Sequence, residues 1–420
     1  MRLRLILWLD AAVGLAVRVL TSLGLRLPIR LLNRLSSRAL VARLMPSALR
    51  VVAHGRRVVL ITGSNGKTTT TAMLAAALGG DVATNCGNRN TFEGVLDTLL
   101  RSRAPTAVLE VDELWLVEVL RWLTPTLLVV LNLVEDSWAV SPDPQYVLQR
   151  WRQAFGARDF PVLAWGEAPS LVGLFRGWPI ELMHWICQSQ LPGMRLVEAC
   201  PACGGALRRR AEQWSCRCGL QHPAAVQFDA QLWLLNSSAT TLRTPLAFSC
   251  KPLVVACGLS GQINRRNAAM VLAASLLLGE DPQPSQAALR SLKSMPMRDQ
   301  SLLLAGRELH LLLGKNPTAW AELLDRFDGY AGLILLQHHT AQPLDLSWLY
   351  DLPLEVLQGK RIGICGHHVL DLVVLLTYAE IDWIAAPDPH TLVSKMPPGP
   401  LMCITDLLGA HWLVASAEQR

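Results

Sequence analysis

Residues 58–71, Val-Val-Leu-Ile-Thr-Gly-Ser-Asn-Gly-Lys-Thr-Thr-Thr-Thr, constrain this chain more than any other stretch. Val58 to Thr62 reads as a buried strand, a Gly/Asn turn follows, and the pattern predicts a helix opening at Thr68. A strand, turn and helix joined in this way make a phosphate cradle. Gly63 and Gly66 let backbone N–H groups approach an anion, the helix N-terminus adds partial positive charge, and Lys67 adds a full one. Thr68 is placed to offer its hydroxyl to Mg²⁺. The strict phosphate-loop pattern wants glycine where Ile61 stands, so this loop is a variant of it.

The chain has 420 residues, enough for two or three domains with full cores. Charged residues make up only 17% and AVILMFWYC 51%, which excludes a disordered chain. The net charge of +6 is modest and gives no reason to expect a nucleic acid partner. Its distribution is uneven, because residues 1–57 hold eleven arginines against one acid, Asp10. Arg26, Arg30, Arg34 and Arg38 recur every fourth residue along one helix face. Such a segment, residues 1–50, either lies on an anionic membrane surface or presents a solvated face while packed on its own domain. Asp10 and Arg18 interrupt the apolar run Leu5–Leu25, so the sequence predicts neither a membrane span nor a signal peptide. The expected location is cytoplasmic, with a peripheral position at the inner face of the plasma membrane as an option.

Further along, strands and helices alternate, which predicts an α/β fold with a mostly parallel sheet. A strand at Ala107–Val111 ends in Glu110-Val111-Asp112-Glu113, and one at Leu127–Leu133 ends in Asn132-Leu133 with Asp136 three residues on. Acids just past a strand's carboxyl end lie where open α/β sheets bind ligands, so Glu110 is a candidate second ligand for Mg²⁺. Cys200-Pro-Ala-Cys203-Gly-Gly and Cys216-Arg-Cys218-Gly flank a short hairpin-like segment containing Trp214. Two such pairs predict a structural Zn²⁺ site in a ribbon over about 197–224, with His222 able to replace one cysteine because the second pair is shortened. Disulfides are not expected in a cytosolic chain whose other cysteines are scattered. Gly279–Ser285 reads as a turn-rich stretch. His338, His339, His367 and His368 are read as ordinary histidines, because neighbours on a strand point to opposite faces.

The order Thr-Gly-Ser-Asn-Gly-Lys-Thr-Thr-Thr, then Asn88-Arg89-Asn90, then Glu110-Val111-Asp112-Glu113, then Asn132-Leu133 resembles the Mur ligases and, within them, the MurT family. Gly314-Lys315-Asn316-Pro317 and Asp345-Leu346-Ser347-Trp348 are similar to loops of the same family. The resemblance implies a central P-loop ATPase domain over 51–290 with an inserted zinc ribbon, and a C-terminal α/β domain over 295–420. It implies ATP and Mg²⁺ held by Gly63, Asn65, Gly66, Lys67, Thr68, Thr69 and Glu110, with Asn264 and Asn267 near the adenine. Arg298 stands at the family's Gly-Arg-x-Glu junction, with Met297 for the glycine and Gln300 for the glutamate, and would reach a phosphate. The family's Asn-Ala-Asp-Asp-Pro-like turn is Ala164-Trp165-Gly166-Glu167-Ala168-Pro169 here, so the resemblance assigns that turn no role.

The activity implied is ATP-dependent amidation of the D-glutamate α-carboxylate of lipid II, through an acyl phosphate, in peptidoglycan synthesis. Ammonia would come from a GatD-like class I glutamine amidotransferase in a heterodimer, whose Cys-His pair Asp345 would complete. Two other classes stay open on the residues alone: a stand-alone Mur-type ligase joining an amino acid to a carboxylate, and an ATP-binding regulatory module without turnover.

Overall fold

The computed structural model describes Ala42 and residues 45–133 except 88, 144–188 except 157 and 158, and 199–225 except 211 and 212. It also describes 232–244 except 237, 252–337 except 315, 325 and 328, and 349–418 except 351. The basic segment before Ala42 and the Asp345 loop, with His338 and His339, lie outside the described residues.

The buried strand that the apolar run Val58–Thr62 leads one to expect is β1 (Arg57–Thr62). Val58 and Leu60 enter one core while Val59 and Ile61 enter another, so this strand is buried on both faces. Its neighbours repeat the pattern: β2 (Val82–Thr84), β3 (Thr106–Glu110), β4 (Leu127–Val130), β5 (Val162–Trp165) and β6 (Met183–Gln188). These six run parallel, as strands covered by helices on both faces do. A short hairpin of β7 (Arg208–Arg210) and β8 (Gln213–Ser215) stands apart. Then β9 (Leu232–Leu235) adds in parallel to β6, and β10 (Thr241–Arg243) and β11 (Leu253–Val254) extend the edge antiparallel. The resulting order, among the described residues, is β11-β10-β9-β6-β5-β4-β1-β3-β2.

Helices Phe92–Arg101, Leu116–Trp122 and Pro144–Phe155 cover one face of this sheet. Helices Lys67–Leu78, Gln262–Leu277 and Pro282–Ser291 cover the other. The last of these corrects the turn reading of Gly279–Ser285. Asp281 caps the helix through a side-chain bond to the Gln283 N–H, and Pro282 occupies the first turn, where its missing donor costs nothing.

A second sheet follows in the order β12-β13-β17-β14-β15-β16. Its strands are β12 (Asp299–Leu304), β13 (Arg307–Leu313), β14 (Gly332–Gln337), β15 (Ile362–Gly366), β16 (Trp383–Ala385) and β17 (Leu401–Thr405). Only the β12–β13 hairpin is antiparallel among these pairs. Met297, immediately before β12, is held at φ 61, a left-handed conformation that costs a non-glycine residue about 1–2 kcal/mol. That is the position where the resembling family carries glycine. Among the described residues no helix is long and apolar enough to cross a membrane.

Candidate nucleotide site

The carboxyl ends of β1, β3 and β4 meet at the cradle. Gly63 and Gly66 take φ of 133° and 88°, and a Cβ on Gly63 would lie 2.7 Å from the Asn132 carbonyl oxygen, so only glycine fits there. Asn132 splints the loop from β4's end. Its Oδ1 accepts from the Asn65 N–H at 2.9 Å, its Nδ2 donates to the Asn65 carbonyl at 3.0 Å, and its carbonyl accepts from the Ser64 N–H at 3.1 Å. This explains why β4 stops at Val130 rather than running to Leu133 as the apolar run predicts: Asn132 has turned toward the loop. The helix opens at Lys67, one residue ahead of expectation, directly after the left-handed Gly66.

Thr68 donates its hydroxyl to Glu110 Oε2 at 2.5 Å. Glu110 is fully buried, and its other oxygen, Oε1, has no hydrogen-bond partner. An orphaned carboxylate oxygen beside a threonine hydroxyl at a phosphate cradle fits a hard divalent cation such as Mg²⁺. Asn85 fixes the backbone under it, accepting from the Glu110 N–H and donating to the Glu110 carbonyl, both at 2.8 Å. Lys67 Nζ donates to the Gly63 carbonyl at 2.5 Å and to Glu113 Oε2 at 3.0 Å, with both side chains 9% exposed.

A cavity of about 270 Å³ opens from this point toward the second sheet, lined by Ser64 to Thr69, Asn264, Asn267, Arg298, Asp299 and Arg326, among others. Both candidate asparagines are buried on the first turns of helix Gln262–Leu277. Asn267 lies against Gly66, and Asn264 Nδ2 donates to the Ser260 carbonyl and to Asp299 Oδ2. Burial pushes the Arg298 guanidinium down from its usual value, and the charge of Glu110 works against that shift. Asn65 and Asn316 join the two sheets' loops by exchanging amide bonds of 3.1 and 2.8 Å. Asp345 lies outside the described residues, so the structure neither brings it to this cavity nor separates it.

The four candidate zinc ligands come together. Cys200 and Cys218 Sγ are 3.6 Å apart, Cys203 and Cys216 Sγ 3.4 Å, and all four sulfurs lie within 4.8 Å of one another. Sulfurs at those spacings can all reach one tetrahedral ion at the usual Zn–S distance of about 2.3 Å. The Cys218 N–H holds the Cys216 thiol down at about 7. At Cys203 the Gly205 N–H also lowers the thiol, but the neighbouring sulfurs outweigh it and push it up to about 12. The reading that lets His222 replace a cysteine is overturned. Its Nδ1 accepts from the Ala224 N–H, and its Nε2 faces Glu167 Oε2 at 3.2 Å. Glu167 also takes the Gln188 N–H at 2.6 Å, so the turn that the resemblance leaves without a role anchors the hairpin segment to the first sheet.

The motifs that contain Asn132, Glu113 and Asn316 and the Gly/Asn-rich loop that contains Asn85 assign these residues no role from sequence, and nothing in the sequence singles out Trp151. Asn at a strand's end was the one available signal for Asn132.

No protein-family profile matches the sequence. Curated relatives do. The MurT subunit of lipid II isoglutaminyl synthase (glutamine-hydrolyzing) from Streptococcus pneumoniae is 24% identical over 346 residues, covering 75% of this chain and 74% of the relative. The subunit of the same name from Staphylococcus aureus strain COL is 23% identical over 357 residues, 77% of this chain and 78% of that one. Among solved structures, a pseudomurein peptide ligase type C from Methanothermus fervidus superposes with a TM-score of 0.66 at 15% identity, covering 88% of this chain and 80% of its own. The MurF ligase of Thermotoga maritima in complex with ADP gives 0.60 at 16% identity, covering 92% and 84%. The chain is similar in sequence to the MurT subunits and has the Mur ligase fold.

Proposed function

We propose that this chain is the ATP-using subunit of a lipid II isoglutaminyl synthase, converting the α-carboxylate of the stem-peptide D-glutamate to an amide. The convergence of Lys67, Thr68 and the half-satisfied Glu110 on one phosphate cradle carries the reading, together with relatives that bear that name. We assign residues 51–290 to the ATP-binding domain and 295–420 to the C-terminal domain.

A carboxylate does not react with ammonia, because oxide is too poor a leaving group. A carboxylate oxygen therefore attacks the γ-phosphorus of ATP, the bond to ADP breaks, and an acyl phosphate forms. Ammonia then attacks the acyl carbon, inorganic phosphate leaves, and a proton is shed to solvent. The backbone N–H groups of the Gly63–Lys67 turn and the Lys67 ammonium stabilise the charge on the transferring group, in a cleft already organised for it. Thr68 and Glu110 would hold Mg²⁺, which when bound neutralises phosphate charge. Arg298 faces the same cavity, and Asn264 and Asn267 border the place for the base. Ammonia is supplied by a glutamine-hydrolysing partner, to which Asp345 contributes a carboxylate that orients the partner's imidazole. The four cysteines bind a structural Zn²⁺ that does no chemistry.

The test is reconstitution with a candidate glutamine amidotransferase, lipid II, ATP and glutamine. Amidated lipid II is expected from the pair, and Asp345→Asn should cut glutaminase activity by up to roughly 10⁴-fold while leaving ligation from free ammonia intact. If no partner binds and another amine is consumed with ATP, the isoglutaminyl synthase reading fails. Metal analysis should find about one zinc per chain, and Cys203→Ser should release it and loosen the hairpin to proteolysis. Full occupancy in that variant would remove the cysteines from the zinc assignment.

A further inference from the structure

Where Lys67 points is not where a bound nucleotide would want it. Its ammonium is turned back on its own loop, with the Gly63 carbonyl at 2.5 Å, the Ser64 carbonyl at 3.5 Å and Glu113 Oε2 at 3.0 Å. Glu113 is brought there by a turn directly after β3. Asp112 organises the turn, its Oδ1 accepting from the Leu114 N–H at 3.0 Å and its carbonyl from the Trp115 N–H at 3.0 Å. The fully buried Trp151 then pins it by donating Nε1–H to the Glu113 carbonyl at 2.8 Å. A carboxylate in such a position has a definite electrostatic effect. It neutralises a buried cation that would otherwise be stranded, and it sets a negative charge beside the place where phosphate oxygens must go.

We propose that Glu113 is an internal stand-in for the nucleotide's terminal phosphates: it pairs with Lys67 at the cradle and yields it when phosphate arrives. The inference rests on the ATP-using reading above and adds a residue to it. Glu113 touches neither substrate nor reacting atom in this scheme, so it is a positioning residue. Its cost appears as weaker nucleotide binding and its benefit as release, because the departing phosphate is replaced at once by a carboxylate already in reach.

The experiment measures binding of MgADP by calorimetry to the full chain and to Glu113→Gln and Glu113→Asp. Removing the competing charge is expected to tighten binding by about tenfold in the glutamine variant, and less in the aspartate variant, whose carboxylate keeps its charge but sits one methylene further back. The glutamine variant should melt lower than the parent without nucleotide and show the larger rise with it, and its KM for ATP and its kcat should fall together as release slows. A purely structural ion pair predicts the lower melting point with unchanged or weaker binding, and that result in either variant overturns the proposal. Should the parent chain itself bind no MgADP, the ATP-using reading falls and this proposal with it. Binding by the parent without tightening in the variants removes the Glu113 assignment alone.

Discussion

Lys67→Ala is expected to lose ligation and stability together, and a second substitution separates the two losses. The ammonium is the one full positive charge supplied by the cradle loop itself, so its removal should reduce turnover by at least about 10²–10³-fold, the scale for deleting one preorganised electrostatic donor. Its ion pair with Glu113 is buried on both sides. Breaking such a pair by deleting one partner costs about 3–5 kcal/mol, because the other charge is left uncompensated. Glu113→Gln placed on top of Lys67→Ala removes that stranded carboxylate, so the double variant should recover much of the lost stability and none of the lost turnover. Urea unfolding of the four proteins in the cycle gives the coupling directly. If Lys67→Ala were as stable as the parent, the buried pair would not exist in solution.

Trp151→Ala should cost comparable stability by a different route. Trp151 is fully buried on helix Pro144–Phe155, its ring 6.0 Å from that of Phe155, which continues the aromatic cluster to Phe160, Phe175 and Trp178. Truncating a buried tryptophan costs about 3–5 kcal/mol, as transfer free energy plus the cavity left behind. Trp151→Phe keeps most of the volume but leaves the Glu113 carbonyl without its donor, which should cost nearer 1–2 kcal/mol. The pair of variants divides packing from hydrogen bonding. Equal losses from Ala and Phe would mean that the indole N–H, and not the ring, carries the effect.

What the sequence made legible, and what it hid, follows from the range of each interaction. The cradle is local: strand, glycines, lysine and helix are consecutive, and Thr68 meets Glu110 at a neighbouring strand's end. The four cysteines were legible because a turn positions each pair within a few residues. The roles of Asn65 and Asn316 were not, since 251 positions separate them and nothing in either loop announces the other. Glu113 stood in a quoted motif, but only the turn after β3 shows that it faces Lys67 and not solvent. The shortened second cysteine pair leaves His222 open to zinc on sequence, whereas the hairpin's docking onto Glu167 decides its place. The helix at Pro282–Ser291 was obscured by two prolines, which read as turn formers until Asp281 is seen to cap the first turn.

The exchanged amides of Asn65 and Asn316 also bear on how the junction they bridge responds to salt. The pair carries no net charge, so salt that screens ion pairs leaves it nearly untouched. Each of its two bonds is worth only about 0.5–1.5 kcal/mol net, since water satisfies the same groups once they part. Parting this pair exposes hydrated amides rather than core, so salt acts on the junction between the phosphate loop and the second sheet through its neighbours instead, the Arg266–Glu322 ion pair above all.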